Sequence, residues 1–153
     1  MAIAIGTYVL IAAIEERIMR TAFFLPMIPP TTTHQEKAVR VVKVKPVFYE
    51  PQELLAARAK LEAHLAGHAP VNPYNGPVRL VVKWLFPAGD KHQDGEYKAT
   101  RPDTDNLQKL LKDVMTKLGY WQDDALVASE IIEKFWAKTP GIYVAIEELE
   151  ARA

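Results

Sequence analysis

The chain has 153 residues, 49% apolar and 25% charged, with no cysteine and a formal net charge of zero. That length is one domain with room for a real core, and the composition is that of a soluble globular protein. The zero charge gives no overall sign of nucleic-acid binding, the lack of cysteine excludes disulfides and fits a reducing cytoplasm, and four histidines (His34, His64, His68, His92) without paired spacing argue against a structural zinc.

The charge is unevenly spread. Residues 20–117 carry a formal +5 and residues 118–153 a formal −4. Within 36–46 four bases (Lys37, Arg40, Lys43, Lys45) face one acid. A locally basic face is compatible with phosphate binding, and equally with a solvated charged surface.

Residues 2–14 are apolar but too few to span a membrane, which takes about 20 residues. They lack the basic start and cleavage site of a signal peptide. MRTAFFLPMIPP reads as a fresh start, so the expected organisation is an N-terminal extension, 1–18, followed by one domain, 19–153. A misassigned start codon would account for the extension. Mass spectrometry of the native protein tests this, and a natural N-terminus within residues 1–3 overturns it.

Thr21 to Ile28 reads as a strand stopped by Pro29-Pro30, and Val39–Val44 with Val47–Tyr49 as a hairpin. Pro51 to Leu65 has a helical pattern opened by proline. Gly67 to Gly76 is a loop. Val78 to Phe86 is the clearest strand, with Val78, Leu80, Val82, Trp84 and Phe86 alternating against Arg79, Val81, Lys83 and Leu85. Pro87 to Thr100 is a long polar loop beside an acidic motif, and such loops are more often functional than not. Leu126–Trp136 and Ile142–Ile146 read as strands joined at Pro140-Gly141, the second pairing back. The expected fold is α+β: one small mixed or antiparallel sheet packed with two helices.

Between the last loop and those strands lies RPDTDNLQKLLKDVMTKLGYWQDD, residues 101–124. Leu107, Leu110, Leu111, Val114, Met115 and Leu118 form one apolar helical face, with Asp105, Lys109, Lys112 and Thr116 opposite. Asp103 or Thr104 is placed to cap the helix start, and Gly119 to close its end. Asp103 and Asp105 therefore have two readings: helix-start acids, or ligands for a hard divalent ion such as Mg²⁺. An EF-hand is excluded, because Leu107 stands where a ligand is needed and neither the glycine nor the closing glutamate is present. Lys109 also has two readings: an i,i+4 salt bridge to Asp105, or a cation for a phosphate. Asp123 and Asp124 lie beyond the helix, which is about 21 Å long at about 14 residues. They reach its start only if the next strand folds back, or if a second subunit supplies a carboxylate. The aromatics Trp84, Phe86, Tyr120, Trp121, Phe135 and Trp136 are expected in the core or an interface.

The run RPDTDNLQKLLKDVM followed by GYWQDDALV closely resembles the RusA-type Holliday-junction endodeoxyribonucleases. Asp103, Asp105, Asn106, Leu107, Lys109, Asp123 and Asp124 fall in register with that family's motif, and FFLPMIPPTT resembles its first strand and Pro-Pro corner. The resemblance runs in outline over about 20–150 and is specific in 101–127. It implies a small homodimer that binds four-way junction DNA and, with Mg²⁺ or Mn²⁺, nicks two strands symmetrically to leave 5′-phosphates in recombination and repair. It implies Asp103, Asp105 and Asp124 as catalytic metal-binding carboxylates, and Lys109 as the catalytic or phosphate-contacting lysine. Asp123 would be a supporting acid and Asn106 would fix the helix start. Candidate phosphate contacts are Lys37, Arg40, Lys43, Lys91, Lys98, Arg101 and Lys112. Rival readings are a metal-dependent nuclease for flaps or forks, and a non-catalytic junction-binding module. No membrane partner is expected, and the location is cytoplasmic.

Overall fold

The computed structural model describes residues 19–33, 38–42, 45–49 and 52–150. The extension 1–18, Lys37 and Lys43 lie outside them, as does the side chain of Arg40. The strands are β1 (Arg20–Leu25), β2 (Ala38–Val42), β3 (Lys45–Tyr49), β4 (Val78–Pro87), β5 (Val127–Ala137) and β6 (Gly141–Glu148). The helices are α1 (Gln52–Ala66) and α2 (Thr104–Lys117), with a 3₁₀ turn at Asp124–Leu126. The first strand is shorter than its apolar run, because Pro26 lacks the N–H that would continue the ladder.

Four strands form a mixed sheet in the order β1-β6-β4-β5, and β2 and β3 form a separate antiparallel pair. β4 runs parallel to β5 and antiparallel to β6. The expected return of the last strand onto its predecessor does not occur: β6 pairs with β4 and β1. Burial explains the order. Ile142, Val144 and Ile146 of β6 are fully buried and need a neighbour on each side, whereas β5 carries Glu130, Glu133 and Lys134 and is only partly covered. The link between them crosses the end of β4, where the Ala88 amide donates to the Ala137 carbonyl at 3.0 Å. Gly141 enters β6 so tightly that a Cβ there would lie 2.7 Å from the Leu25 carbonyl oxygen.

Both helices cover one face of this sheet. Leu54, Leu61 and Leu65 of α1, and Leu107, Leu110, Leu111, Val114 and Met115 of α2, join Val78, Leu80, Val82, Trp84 and Phe86 of β4 in one core. Each fully buried side chain of this size contributes about 1.5–3 kcal/mol, so α2 is anchored chiefly by its apolar stripe. Its end is closed as the sequence suggests. Gly119, at φ +83°, lets its own amide donate to the Thr116 carbonyl and the Tyr120 amide to the Met115 carbonyl. Tyr120 and Trp121 then turn into the core. The Tyr120 hydroxyl donates to the Leu65 carbonyl at 2.6 Å, and burial pushes this phenol's pKa well above its ordinary value. Gln108 is also buried, with neither amide atom partnered among the described residues.

Candidate active site

Strand periodicity on β5 sets what lies beneath α2. Glu130, Ile132, Lys134 and Trp136 register with Leu80, Val82, Trp84 and Phe86, whose side chains face the helices. β5 starts near the end of α2 and runs back toward its beginning. Glu130 thus meets Lys112, Nζ to carboxylate 2.7 Å. Four residues further along β5, Lys134 reaches the segment leading into α2, more than two helical turns back from Lys112. Its ammonium donates to the carbonyls of Thr100 (2.7 Å) and Pro102 (2.8 Å), on either side of Arg101. The Arg101–Pro102 peptide is cis.

Asp103 is the N-cap residue of α2 by backbone position, yet its side chain makes no capping bond. Asp105 sits in the first turn, exposed. Among the described residues neither carboxylate takes part in a hydrogen bond or ion pair, and the side-chain amide of half-buried Asn106 makes none either. A capping role for the Asp103 side chain is therefore not realised.

Lys109 does not pair with Asp105. Its ammonium lies 2.9 Å from Asp113, one turn further along, and 3.6 Å from Asp124. Asp113 is the closer partner, and Asp124 lies on the same side of the helix and adds to its pull. Asp113 first, then Asp124, raise the lysine's pKa above its ordinary value. The second acidic pair is thus brought to the middle of α2. Asp123 is spent locally, its carboxylate accepting from the Ala125 amide at 2.8 Å to cap the 3₁₀ turn.

The loop 87–100 packs on β5 and ends at the lead-in to α2. Its 95–98 segment pairs with the edge of β5: the Gly95 amide donates to the Trp136 carbonyl, the Trp136 amide to the Glu96 carbonyl, and the Lys98 amide to the Lys134 carbonyl, each at 2.8 or 2.9 Å. His92 stacks on Trp136 with ring centroids 4.0 Å apart. Lys98 is only 8% exposed. Its ammonium lies 4.2 Å from the Trp136 ring centroid and 5.1 Å from that of Phe86, and donates to the Thr100 hydroxyl. Burial, then the Lys134 charge, lowers its pKa. Lys98 is thus packed inside the loop, while Lys91 and Arg101 are exposed. Lys112 is partly covered and joined to Glu130. Sequence reasoning missed Asp113 and Lys134. The signals were present: Asp113 stands four residues after Lys109, and Lys134 is the single basic residue of β5.

The two unpaired carboxylates at the start of α2 are the hard oxygen donors Mg²⁺ takes, and that ion completes its shell with water and substrate phosphate. This donor set fits a hydrated divalent ion. Among the described residues, no three His, Cys, Asp or Glu are grouped to enclose one without such help. Carboxylates free to hold a divalent ion, on the same helix as a lysine fixed by two other acids, are side chains that metal-assisted phosphoryl transfer can use. Comparison with known proteins narrows this class. Residues 27–147 match the family model Endodeoxyribonuclease RusA, and the chain belongs to that family. The crossover junction endodeoxyribonuclease rusA of Lactococcus phage r1t is 36% identical over 98 residues, which cover 63% of this chain and 73% of the phage protein. The uncharacterized protein YqaN of Bacillus subtilis (strain 168) is 30% identical over 95 residues, covering 55% of this chain and 66% of its own. Among the described residues no helix is long and apolar enough to cross a membrane.

Proposed function

We propose that this chain is a divalent-metal-dependent endonuclease that resolves four-way DNA junctions by paired, symmetric nicks, acting as a homodimer in the cytoplasm. The observation that carries the reading is the pair Asp103 and Asp105, exposed at the start of α2 with no partner among the described residues. Acids that cap or bridge nothing add to the fold only the modest pull of the helix dipole, about 0.3–1 kcal/mol, and by themselves they repel a polyanionic substrate. They become useful once a cation sits between them and the phosphate. Family membership and the name of the phage relative support junction DNA as that substrate.

In this reading Asp103 and Asp105 hold Mg²⁺, or Mn²⁺ in its place, and Asp124 is the third acid of the site. A divalent ion held there would supply water activation and charge neutralisation at the phosphate. The chain's own residues do the rest. Asp113 and Asp124 hold the Lys109 ammonium in place and protonated, ready for a non-bridging phosphate oxygen. Asp123 keeps the turn that carries Asp124 closed. Arg101, two residues before Asp103, and Lys91 of the 87–100 loop are exposed and would supply phosphate contacts whose strength falls steeply with salt. Two copies related by a two-fold axis would present two such sites to a junction of matching symmetry.

The test is cleavage of a synthetic four-way junction beside a linear duplex of the same sequence, with Mg²⁺, with EDTA, and with Asp105→Asn. Paired nicks in the junction alone, dependent on metal and lost in the variant, are the expected result. Tight junction binding with no cut under any divalent metal would replace this reading with a binding module. Equal cutting of flaps and forks would broaden the substrate.

A further inference from the structure

We propose that Lys134 is a positioning residue for the metal-holding carboxylates. The inference rests on the nuclease reading above and extends it to a residue outside the acidic motif. Its basis is the way α2 begins. An aspartate at an N-cap ordinarily folds its carboxylate onto the free helix amides. That bond would fix the corner, but it would also consume the oxygen a metal needs. Here the Asp103 carboxylate leaves the amides alone.

The lead-in is fixed from outside. The Lys134 ammonium donates to the carbonyls of both Thr100 and Pro102, the second belonging to the residue directly before Asp103. Charge-assisted bonds of this kind are about twice as strong as neutral ones. The strand beneath is itself held, since the Lys134 carbonyl accepts from the Lys98 amide and the Lys98 ammonium ties the Thr100 hydroxyl. Asn106 makes no side-chain hydrogen bond among the described residues, so it offers no competing restraint. Lys134 thereby takes over the work of the missing cap: it sets the direction from which Asp103 and Asp105 project and leaves both carboxylates free. Its ammonium bonds to backbone carbonyls and to neither acid, so it acts through the backbone.

Wild type, Lys134→Met, Lys134→Gln and Lys134→Arg are compared in three measurements: Mn²⁺ binding to the DNA-free protein by electron paramagnetic resonance, single-turnover junction cleavage against Mg²⁺ concentration, and junction binding in EDTA. Removing an outer partner of a metal ligand typically costs about 10–100-fold in metal affinity or activity. Lys134→Met is expected to lose Mn²⁺ affinity and cleavage in that range, with junction affinity in EDTA unchanged. Lys134→Gln, shorter and uncharged, shifts the Mg²⁺ midpoint the same way by less, and Lys134→Arg, with donors and charge kept, recovers most of the loss. A purely structural lysine would lower the melting temperature and leave the Mn²⁺ affinity of the folded fraction alone. Wild-type Mn²⁺ affinity and Mg²⁺ midpoint in Lys134→Met overturn the proposal, and if that variant does not fold, the same result in Lys134→Gln does so. A wild-type protein that neither binds Mn²⁺ nor cuts would instead bring down the nuclease reading and this inference with it.

Discussion

Asp103 and Asp105, before and within the first turn of α2, are exposed and bonded to nothing among the described residues. Asp123 and Asp124, at the turn after the same helix, are both in use, one capping the 3₁₀ turn and the other beside Lys109. The residue type is identical and the two pairs are 20 positions apart, yet one is left for solvent and the other is built into the scaffold. The difference teaches how to divide an acidic motif. Carboxylates with partners contribute to the fold or orient a neighbour, while those without partners gain only the weak pull of the helix dipole and are available to a ligand.

Substitution can break this contrast. The largest effect is expected from Asp103→Asn or Asp105→Asn. If they hold the metal as proposed, losing one removes several kcal/mol of transition-state stabilisation, about a thousandfold or more in cleavage rate. Stability should move by no more than about 0.5 kcal/mol, because no folded-state partner is lost. A clear fall in melting temperature would show that these acids are structural after all.

Next come Lys109→Met and Asp124→Asn, each expected to slow cleavage by about a hundredfold through loss or misplacement of the cation. Mn²⁺ affinity of the DNA-free protein should hold in both. Weakened Mn²⁺ binding in Asp124→Asn would make that acid a metal ligand and blur the division between the pairs. Asp123→Ala should do the opposite of Asp105→Asn. It removes a cap, costing about 1 kcal/mol in urea unfolding, with cleavage changed by no more than a few fold.

The smallest effect is in pH. The folded-state pKa of Lys109 is raised, by Asp113 first and Asp124 second. A raised basic group stabilises fully below its unfolded value, about 10.4, and that contribution is lost as pH rises through the higher folded value. Cleavage should therefore show no loss from lysine deprotonation between about pH 7 and 9. A fall in that window, absent from Lys109→Arg, would place the lysine's pKa far lower than its acidic neighbours imply.

Much of the scaffold was legible because it follows from periodicity. The α2 stripe and the β4 alternation are set by which side chains must leave water, and both stand in the structure within a residue or two. Strand order was not legible. Ile142–Ile146 looks like the return of a hairpin because only a short link separates it from β5. Its place between β4 and β1 follows from complete burial, which depends on residues more than a hundred positions away. Within the site, residue types could be read but not their partners. Lys109 had an acid four residues away on each side, and its second neighbour on the Asp113 side, Asp124, came from beyond the helix. Lys98, one more loop base in the sequence, is buried by Trp136 and Phe86, which only the pairing of its segment with β5 brings together. Whether Lys134 would face the helix depended on the β4–β5 register, which no local pattern carries.

The pairing of β1 has a consequence for synthesis. The first strand of the sheet has one partner, β6, with Arg20 opposite Glu147, and the lead-in to α2 waits for a lysine made some thirty residues later. Contacts of such wide sequence separation form slowly and only once both ends exist. A nascent chain stalled before β5 thus exposes its aspartates on an unanchored helix start. The sheet and the helix start are therefore complete only after the last strand has left the ribosome.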